Sequence, residues 1–444
     1  MNYRKLFMRG KREGAMKSKT MSIAGLLLAA AVIFAGIATA QQETIKVGVL
    51  HSLSGTMAIS ETTLKDTILM MVDEQNKKGG LLGKKLEAVV VDPASDWPLF
   101  AEKAQELLEK DKVAVVFGCW TSVSRKSVLP VFEKDNGLLF YPVQYEGEES
   151  SRNVIYTGAA PNQQAIPAVE YLMNEVGVKR WVLEGTDYVY PRTTNKILEA
   201  YLLQKGVKSE DISINYTPFG YSDWQARVAA IKKFGSAGKK TAVVSTINGD
   251  ANVPFYKELG NQKISAEDIP VVAFSVGEEE LSGLDAKPLV GHLAAWNYFE
   301  SINTPENKAF IQQWHAFIKN PKRTTNDPME AHYIGFNLWV KAVQKAGTTN
   351  VDKVIAALPG TETPNLTGGI AKVLPNHHIT KPVYIGEVRA DGQFDVVWKT
   401  NGTVPGEAWS RYLPSDKNIV ADWVTLKCGN YNTATKKCSG QNYK

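Results

Sequence analysis

The sequence has few cysteines and lacks the local motifs that usually mark an enzyme or a nucleotide-binding protein. Its 444 residues include only 3 Cys and 6 His, too few for a disulfide-dense scaffold. It contains no His-Glu-x-x-His, no Cys-x-x-Cys and no Gly-x-Gly-x-x-Gly after a strand-like run. These absences argue against a zinc hydrolase, a redox pair and a dinucleotide site. We therefore expect no metal, no cofactor and no catalytic residues.

The chain also lacks an excess of charge that could attract a polyanion. The formal net charge is +5, but the first 40 residues hold seven basic side chains and one acid. The rest of the chain therefore carries 44 basic and 45 acidic residues. A body with this balance gives no electrostatic reason for nucleic-acid binding, so we expect no nucleic-acid partner.

The first 40 residues have the layout of a secretory signal peptide. A basic stretch ends at Lys19, an apolar run extends from Met21 to Ile37, and Ala38-Thr39-Ala40 follows. Basic, apolar and small-x-small segments in this order predict a signal peptide cleaved near Ala40, and hence periplasmic export. A retained membrane anchor is the alternative, although the apolar run is short for a membrane span. Met1 and Met16 are both open as the true start.

Export places the cysteines in an oxidising compartment. Cys428 and Cys438 lie ten positions apart in a polar tail, and we predict a disulfide between them. A zinc site is the alternative, but the tail offers no His or further Cys as a ligand. Cys119 is left unpaired, and because it follows a strand-like run we expect it to be buried.

Strand-like and helical patterns alternate along the body of the chain, which predicts an α/β fold. Short β-branched runs separated by amphipathic segments indicate parallel sheets covered by helices on both faces. Two such doubly wound units follow one another and suggest two similar lobes. Strands are predicted at 47–50, 88–91, 113–117, 138–141, 180–183, 212–216, 242–246 and 271–274. Helices are then predicted at 305–319, 328–346 and 351–358, and a hairpin at 383–399.

Polar and aromatic side chains collect in the loops that follow the predicted strands. Ligands of open parallel sheets bind at the carboxyl ends of the strands, so these loops predict a lined cleft. Loop packing is the alternative explanation for each residue taken singly. The candidate ligand-binding residues are Trp120, Thr121, Ser122, Tyr141, Gln144, Tyr145, Asp187, Tyr188, Tyr190, Asn248, Ser275 and Glu278.

Several motifs resemble the leucine/isoleucine/valine-type periplasmic binding proteins. The opening Ile45-Lys46-Val47-Gly48-Val49-Leu50-His51-Ser52-Leu53-Ser54-Gly55 and the turn Gly79-Gly80-Leu81-Leu82-Gly83 carry this likeness, with Gly118-Cys119-Trp120-Thr121-Ser122. Three further segments are similar to the amide/urea branch of that family. They are Phe140-Tyr141-Pro142-Val143-Gln144-Tyr145-Glu146-Gly147, Asp187-Tyr188-Val189-Tyr190-Pro191-Arg192 and Ser245-Thr246-Ile247-Asn248-Gly249-Asp250. The resemblance covers residues 44–410.

The resemblance implies a type I periplasmic-binding fold, with two lobes joined by three hinge crossings. Lobe 1 would comprise residues 44–161 and 297–377, lobe 2 residues 162–296 and 378–400, and a C-terminal extension residues 401–444. The implied function is a receptor, not an enzyme, that captures urea between the lobes and delivers it to the permease subunits of an ABC transporter. Short-chain amides and branched-chain amino acids are the alternative ligands. A sensor domain and an enzyme remain as less favoured classes.

Urea is neutral and planar, with four N–H donors and one carbonyl, so its site needs acceptors on two sides and donors on another. The helix start at Thr121-Ser122 would supply donors. Acceptors would come from Asp187, Gln144 and Glu278 or Glu279, and the sequence leaves open which acid of 278–280 faces the ligand. Aromatic side chains would stack on the ligand. In amino-acid binders of this family small hydroxyl residues follow the same glycine, so Trp120 favours a smaller ligand.

Overall fold

The N-terminal part of the chain forms a five-stranded, wholly parallel sheet, which we call the first sheet. The computed structural model describes residues 43–413, 419–423, 428–432 and 437–439. The strands are β1 (Ile45–Leu50), β2 (Leu86–Val91), β3 (Val115–Gly118), β4 (Leu139–Tyr141) and β5 (Val154–Tyr156), in the order β2-β1-β3-β4-β5. The helices between them are α1 (Ala58–Lys77), α2 (Trp97–Gln105) and α3 (Ser122–Lys134). The first four strands match the prediction.

The second sheet has seven strands in the order β15-β14-β10-β9-β8-β6-β7. They are β6 (Arg180–Thr186), β7 (Ile212–Thr217), β8 (Thr241–Thr246), β9 (Val271–Ala273), β10 (Leu293–Trp296), β14 (Tyr384–Val388) and β15 (Phe394–Lys399). Strands β6 to β10 are parallel, whereas β14 runs antiparallel to β10 and pairs with β15 in the predicted hairpin. The helices here are α4 (Ala165–Asn174), α5 (Val189–Gln204), α6 (Gln225–Gly235), α7 (Asn252–Asn261) and α8 (Glu278–Leu281). The predicted α/β class is confirmed.

Three helices after β10 return to the first sheet. They are α9 (Pro305–Ile318), α10 (Asp327–Ala346) and α11 (Val351–Ala357), as the sequence predicts, and both α9 and α10 pack on α1. Asn326 caps α10 by accepting a hydrogen bond from the backbone of Met329, and Pro328 lies in the first turn, where proline costs no helix hydrogen bond. Within the described residues, no helix is both long and apolar enough to span a bilayer.

The apolar core is divided in the same way as the sheets. One cluster includes buried side chains from 45–160 together with 298 and 310–379, and two others include those from 165–296 together with 299 and 384–394. Along the chain, the buried residues therefore pass from one core to the other near Gln163, Asn297 and Pro382. The lobe boundaries given above, at 161, 296 and 377, stay a prediction.

Short polar segments tie these three places together. The Asn297 side-chain amide donates to the carbonyl of Gln163 at 2.9 Å and to that of Pro382 at 2.6 Å. Next to it, the buried ammonium of Lys381 lies 4.0 Å from Asp327 and 3.6 Å from Glu330. Burial raises the pKa of Glu330 to about 7, although Lys381 acts in the opposite direction. The three segments thus share one buried polar junction.

Small sheets complete the architecture. Strands β11 (Glu362–Pro364) and β12 (Ile370–Lys372) pair with each other, as do β13 (Thr380–Lys381) and β16 (Val404–Pro405). Strands β17 (Ile419–Trp423), β18 (Cys428–Asn432) and β19 (Lys437–Ser439) form a separate three-stranded sheet.

The two cysteines of the predicted disulfide lie in β18 and β19. The register sets Cys438 opposite Tyr431 and Cys428 opposite Trp423, so the two cysteines are not neighbours across strands. This register gives the predicted disulfide no support, because bridged cysteines need closely spaced Cα atoms. Their side chains lie outside the described part of the chain, as do residues 1–42 with the predicted signal peptide. Cys119 is buried with a free thiol, as predicted.

Candidate functional site

The candidate site begins where β3 and β4 end. Cys119 adopts a left-handed backbone conformation, with φ at 66°, and turns the chain out of β3. Thr121 then caps α3, because its hydroxyl accepts a hydrogen bond from the backbone of Ser124 at 3.1 Å. Trp120 between them is buried, and its carbonyl accepts a hydrogen bond from the Tyr141 hydroxyl at 2.5 Å. The ends of two neighbouring strands are thereby held together.

Three neutral polar groups are buried near these strand ends without a hydrogen-bond partner among the described residues. They are the indole N–H of Trp120, the side-chain carbonyl of Gln144 and the hydroxyl of Tyr190, which we call the open polar cluster. Gln144 reaches from the first-sheet side to the second and donates its amide N–H to the Ser275 hydroxyl at 2.6 Å. Other buried neutral groups of the described residues, among them the Trp181 N–H, the Tyr201 hydroxyl and the Trp339 N–H, also have no partner, so what distinguishes these three is their place at the strand ends.

Gln144 and Tyr190 of the open polar cluster lie together, and Trp120 is linked to them indirectly, through Tyr141. Burial raises the pKa of Tyr190, and the nearby Ser275 and Gln144 side chains act against this, which places them beside its hydroxyl. None of these approaches has the geometry of a hydrogen bond to that hydroxyl. Tyr188 packs 6.2 Å from the Tyr190 ring. Burial raises the pKa of Tyr188, and the neighbouring Tyr141 acts in the same direction, which links the tyrosines to the strand end at Trp120.

Aromatic and apolar side chains from both sheets close this region. Tyr188 and Tyr190 form a buried cluster with Val123 of α3, against which Trp97 and Phe219 also pack. Surface clefts of about 680, 480 and 410 Å³ contain none of the predicted site residues. The candidate site is therefore a contact region between the two sheets' loops, with the described side chains already close to one another.

A group of paired charges lies directly beside the open polar cluster. We call Arg125, Lys126, Glu146 and Glu149 the charged cluster, and all four side chains are buried. The Arg125 guanidinium donates to Glu149 at 2.8 Å and to Glu146 at 3.1 Å, and Lys126 donates to Glu149 at 2.9 Å. The guanidinium also lies 4.7 Å from the Tyr141 ring centre and 4.6 Å from that of Tyr145. These contacts fix the loop that carries Gln144.

Two members of the charged cluster, Arg125 and Glu149, are held in their ionised form despite burial. Burial by itself would raise the pKa of Glu149, but Arg125 and Lys126 reverse this and hold the pKa well below its usual range. Burial by itself would lower the pKa of Arg125, and the two carboxylates instead raise it. Two cations therefore face two carboxylates, a balance that a buried ion cluster requires.

Four of the predicted site residues already have partners in this structure, and their roles toward a ligand stay predictions. Asp187 is not buried at the site: its carboxylate is 42% exposed and pairs with Arg192 at 2.6 Å. The Thr121 hydroxyl is occupied by the helix cap. The Ser122 hydroxyl is occupied by Glu146 and also accepts from Arg125 at 3.0 Å. Tyr145 bonds His378 and the Glu149 carbonyl through its hydroxyl.

Glu278 is also not the acid that reaches between the sheets. Its carboxylate is buried and accepts a hydrogen bond from the backbone of Glu300 at 2.8 Å. Glu280 makes the connection instead, by accepting a hydrogen bond from the Ser60 hydroxyl of α1 at 2.7 Å. Asn248 is buried after β8, where its amide donates to the carbonyl of Thr246 at 3.0 Å.

No sequence pattern predicts the charged cluster or the Ser60–Glu280 contact. Arg125 and Lys126 lie in the first turns of α3, where charges usually face solvent, and nothing local in the sequence marks them as buried. A weak signal exists in the run Glu146 to Glu149, because three acids in a loop beside two helical cations suggest pairing. Only the fold brings the two segments together.

A second buried chain of polar groups lies at the end of β1. His51 lies 2.8 Å from His332 and 3.2 Å from Glu61, measured between ring nitrogens and from ring nitrogen to carboxylate oxygen. Because the two imidazoles face each other at hydrogen-bond distance, they leave no room for a metal ion between them. Across the described ranges, no group of three or more His, Cys, Asp or Glu side chains is arranged to hold a metal ion.

Comparison with known proteins identifies a family for this chain. Residues 45–415 match the family described as periplasmic binding protein domain. The chain is 24% identical over 368 residues to Leu/Ile/Val-binding protein homolog 6 of Brucella melitensis, which covers 82% of this chain and 92% of that relative.

Solved structures share the fold. A solute-binding protein of an ABC transporter from Rhodopseudomonas palustris, in complex with p-hydroxybenzoic acid, gives a TM-score of 0.71 at 22% identity and covers 83% of this chain and 99% of that one. A leucine-binding protein of Thermotoga maritima gives a TM-score of 0.66 at 18% identity, with 81% and 99% covered. The chain therefore belongs to the periplasmic binding protein family and has its type I fold.

Proposed function

We propose that the protein binds urea, or an amide of similar size, at the open polar cluster and presents it to an ABC-type permease. The observation that carries this proposal is that three buried neutral atoms, Trp120 Nε1, Gln144 Oε1 and Tyr190 Oη, have no hydrogen-bond partner within the part of the chain that the structure describes. The Trp120 N–H can only donate, the Gln144 carbonyl can only accept, and the Tyr190 hydroxyl can do either. A small molecule with one carbonyl and several N–H groups satisfies all three.

The charge of the region supports a neutral ligand. The cations beside the open polar cluster, Arg125 and Lys126, are already paired with carboxylates. The acid that approaches from the second sheet, Glu280, is held by Ser60 and by the backbone N–H of Gly277 at 2.9 Å. An amino acid would need an unshared carboxylate for its ammonium and donors for its carboxylate.

The surrounding rings support a small ligand. Tyr141, Tyr188 and Trp120 occupy the space between the strand ends, and all three are buried. A planar molecule of few atoms can lie against these rings, whereas a branched side chain would have to displace them. Export to the periplasm, which the family implies, is consistent with the predicted signal peptide before Gln41.

The neighbouring structures keep two other ligand classes in the test. One is solved with an aromatic acid and another is a leucine-binding protein. Their low identity carries the fold and not the ligand, so amino acids and aromatic acids are alternatives that the experiment must include.

The test is calorimetric titration of the protein, purified free of ligand, with urea, acetamide, formamide, leucine and p-hydroxybenzoate. The best small ligands gain about 1.5 kcal/mol per heavy atom. Four heavy atoms then give a free energy of about 6 kcal/mol, which corresponds to a Kd of tens of micromolar. We expect saturable heat with urea or a small amide. Strong binding of leucine or p-hydroxybenzoate with none of urea or the amides would reject the proposal.

A control for enzymatic turnover belongs in the same experiment. After incubation of urea with the protein, ammonia should stay at the level of a blank, because a receptor releases its ligand unchanged. Sustained ammonia release would contradict the receptor function.

A further inference from the structure

Residues 404–412, which we call the C-terminal strap, lie along the buried polar junction after the chain has left β15. The strap begins with β16, which pairs with β13. The Gln163 side chain donates to the carbonyl of Val404 at 2.8 Å, and the Asn376 side chain donates to that of Gly406 at 2.9 Å. A Cβ on Gly406 would lie only 3.1 Å from Oε1 of Gln163. The strap is therefore seated closely on two of the three segments that meet at the junction.

Beyond the junction, the C-terminal strap contacts the loop of residues 142–149, which we call the Gln144 loop. The backbone N–H of Glu148 donates to the carbonyl of Ala408 at 2.6 Å. In return, the backbone N–H of Ser410 donates to the carboxylate of Glu148 at 2.7 Å. Two hydrogen bonds thus join the strap to a single residue of the loop.

The turn at this contact has a backbone conformation that needs support from outside. Gly147 and Glu148 are both left-handed, with φ at 69° and 56°, a region that residues other than glycine rarely adopt. Such a conformation persists when the surrounding structure imposes it. The Glu148 side chain is buried, and in the described part of the chain no ion pair engages its carboxylate, whereas Lys126 pairs with both Glu146 and Glu149. The hydrogen bond from the strap is therefore its principal restraint.

The far end of the C-terminal strap is attached to the second sheet's side. The ring of Tyr412 lies 5.2 Å from that of Tyr201 on α5 and packs against the core of that side. Tyr190, a member of the open polar cluster, lies in the first turn of the same helix. The strap therefore contacts both the loop that carries Gln144 and the helix that carries Tyr190.

Building on the proposed function, we propose that the C-terminal strap holds the Gln144 loop in its ligand-binding conformation, and that Glu148 is the positioning residue at their contact. Glu148 acts through Gln144, four residues earlier in the loop, and does not touch the ligand. Without the bond to Ser410, the left-handed turn loses a support and the loop populates other conformations. Affinity then falls in proportion to the fraction of molecules that keep the binding conformation.

The charged cluster restrains the same loop through Glu146 and Glu149, so the alternative is that these ion pairs hold it without the strap. Calorimetric titration of wild type, Glu148→Ala and Glu148→Gln with urea and with acetamide separates the two. We expect Glu148→Ala to weaken binding about tenfold. Glu148→Gln keeps an oxygen that can accept from Ser410 and should stay within about twofold of wild type. Glu210→Ala, at a side chain that is 71% exposed, is the matched control and should change nothing.

A double-mutant cycle tests whether Glu148 acts through Gln144. If it does, adding Glu148→Ala to Gln144→Leu should weaken urea binding by less than about twofold more, because the group being positioned is already absent. A further tenfold loss in the double variant would overturn the positioning role, since general damage to the protein adds to the loss at Gln144.

Hydrogen exchange of the ligand-free protein tests the support of the loop without any ligand. We expect the amides of residues 143–149 to exchange about tenfold faster in Glu148→Ala than in wild type, and Glu148→Gln to resemble wild type. Exchange in β6 should be unchanged, which checks that the fold is intact. Tyr412→Ala loosens the other end of the strap and should speed exchange in the same loop, so the test does not depend on Glu148→Ala folding.

The outcomes separate this inference from the proposed function. Wild type that binds urea or acetamide, with equal affinity in Glu148→Ala, overturns the inference alone, as do equal losses in Glu148→Ala and Glu148→Gln. Faster exchange of the loop in Glu148→Ala, with no binding of urea or acetamide by wild type, overturns the proposed function alone and supports the strap's hold on the loop. No binding and no change in exchange contradict both.

Discussion

The charged cluster and the open polar cluster lie side by side and are built in opposite ways. In the charged cluster, Arg125 and Lys126 are matched by Glu146 and Glu149, whereas in the open polar cluster three neutral groups have no partner among the described residues. A buried charge without a partner costs far more than a buried neutral group. The comparison teaches that, in this region, the charges are paired by the protein itself and the groups left for the proposed ligand are neutral.

The largest effect is expected when the charged cluster loses its central cation. Arg125→Met keeps much of the side-chain length but leaves Glu146 and Glu149 without their main partner. We expect the free energy of unfolding to fall by about 3–5 kcal/mol, the usual cost of removing one side of a buried ion pair. Guanidinium chloride denaturation measures this, and it avoids urea, which is the proposed ligand.

A matched control removes an exposed arginine. Arg411 pairs with Glu407 at 2.9 Å and is 68% exposed, so Arg411→Met should cost at most about 1 kcal/mol. If the two variants lost the same stability, the charged cluster would not be the closed unit described above.

In a second buried ion group, the single cation Lys381 faces two carboxylates, Asp327 and Glu330. Its stability should therefore depend on pH. Because the pKa of Glu330 is raised to about 7 in the folded protein, the folded state binds more protons than the unfolded state above pH 4.5. Stability from this group is thus present at low pH and lost as pH rises through 7, by at most about 3 kcal/mol. Denaturation between pH 5 and 8 measures the loss.

The comparison of wild type with Glu330→Gln isolates this effect. The variant should remove the part of the loss that Glu330 contributes. In both proteins Glu148, whose pKa burial also raises to about 7, contributes the same slope, and the buried His378, whose pKa burial lowers to about 4, contributes the opposite slope. A difference between the two proteins that is constant with pH would contradict the assignment to Glu330.

The open polar cluster should matter for binding more than for stability. Gln144→Leu removes the acceptor and also the contact with Ser275, and we expect urea affinity to fall about tenfold or more. Calorimetry measures this, with Gln204→Leu on the exposed face of α5 as the control. Unchanged urea affinity in Gln144→Leu would place the ligand elsewhere.

The smallest effect is expected at Asp187. Its carboxylate is half-exposed and paired with Arg192, so Asp187→Ala should change urea affinity by less than about twofold and stability by less than about 1 kcal/mol. The same titration checks both this variant and Gln144→Leu. A tenfold loss at Asp187 would show that the loop before α5 rearranges when the ligand binds.

Periodicity predicts most of the fold here but few of the side-chain roles. The alternation of β-branched runs and helical stripes locates β1 to β4 and the helices after 305, because both patterns depend on burial of one face. Strands β5 and β10 are not among the predicted strands, and β10, with the sequence Leu-Ala-Ala-Trp, contains no β-branched residue that could mark it. Their existence depends on neighbouring strands distant in sequence.

Some features of the candidate residues follow from neighbouring sequence, such as a helix cap, whereas the direction of a side chain does not. The pattern at Thr121-Ser122 predicts a helix cap, and Thr121 forms it, with the backbone N–H groups of the helix start remaining the predicted donors. The partners of Glu278, Glu279 and Glu280 depend on how a four-residue helix is rotated, which no local pattern specifies, and Glu280 bonds Ser60 of α1. The outward direction of Asp187 also has no local signal, because a strand-end loop can turn a side chain outward as readily as inward.

The amide of Asn297 bonds the carbonyls of both Gln163 and Pro382, so three stretches of chain that are remote in sequence share one fastening point. Segments fastened in this way cannot bend independently without breaking these bonds. Any opening between the two sheets should therefore bend all three segments together. A receptor restricted in this way would differ in shape between its ligand-free and ligand-bound forms, a difference that a transporter could recognise.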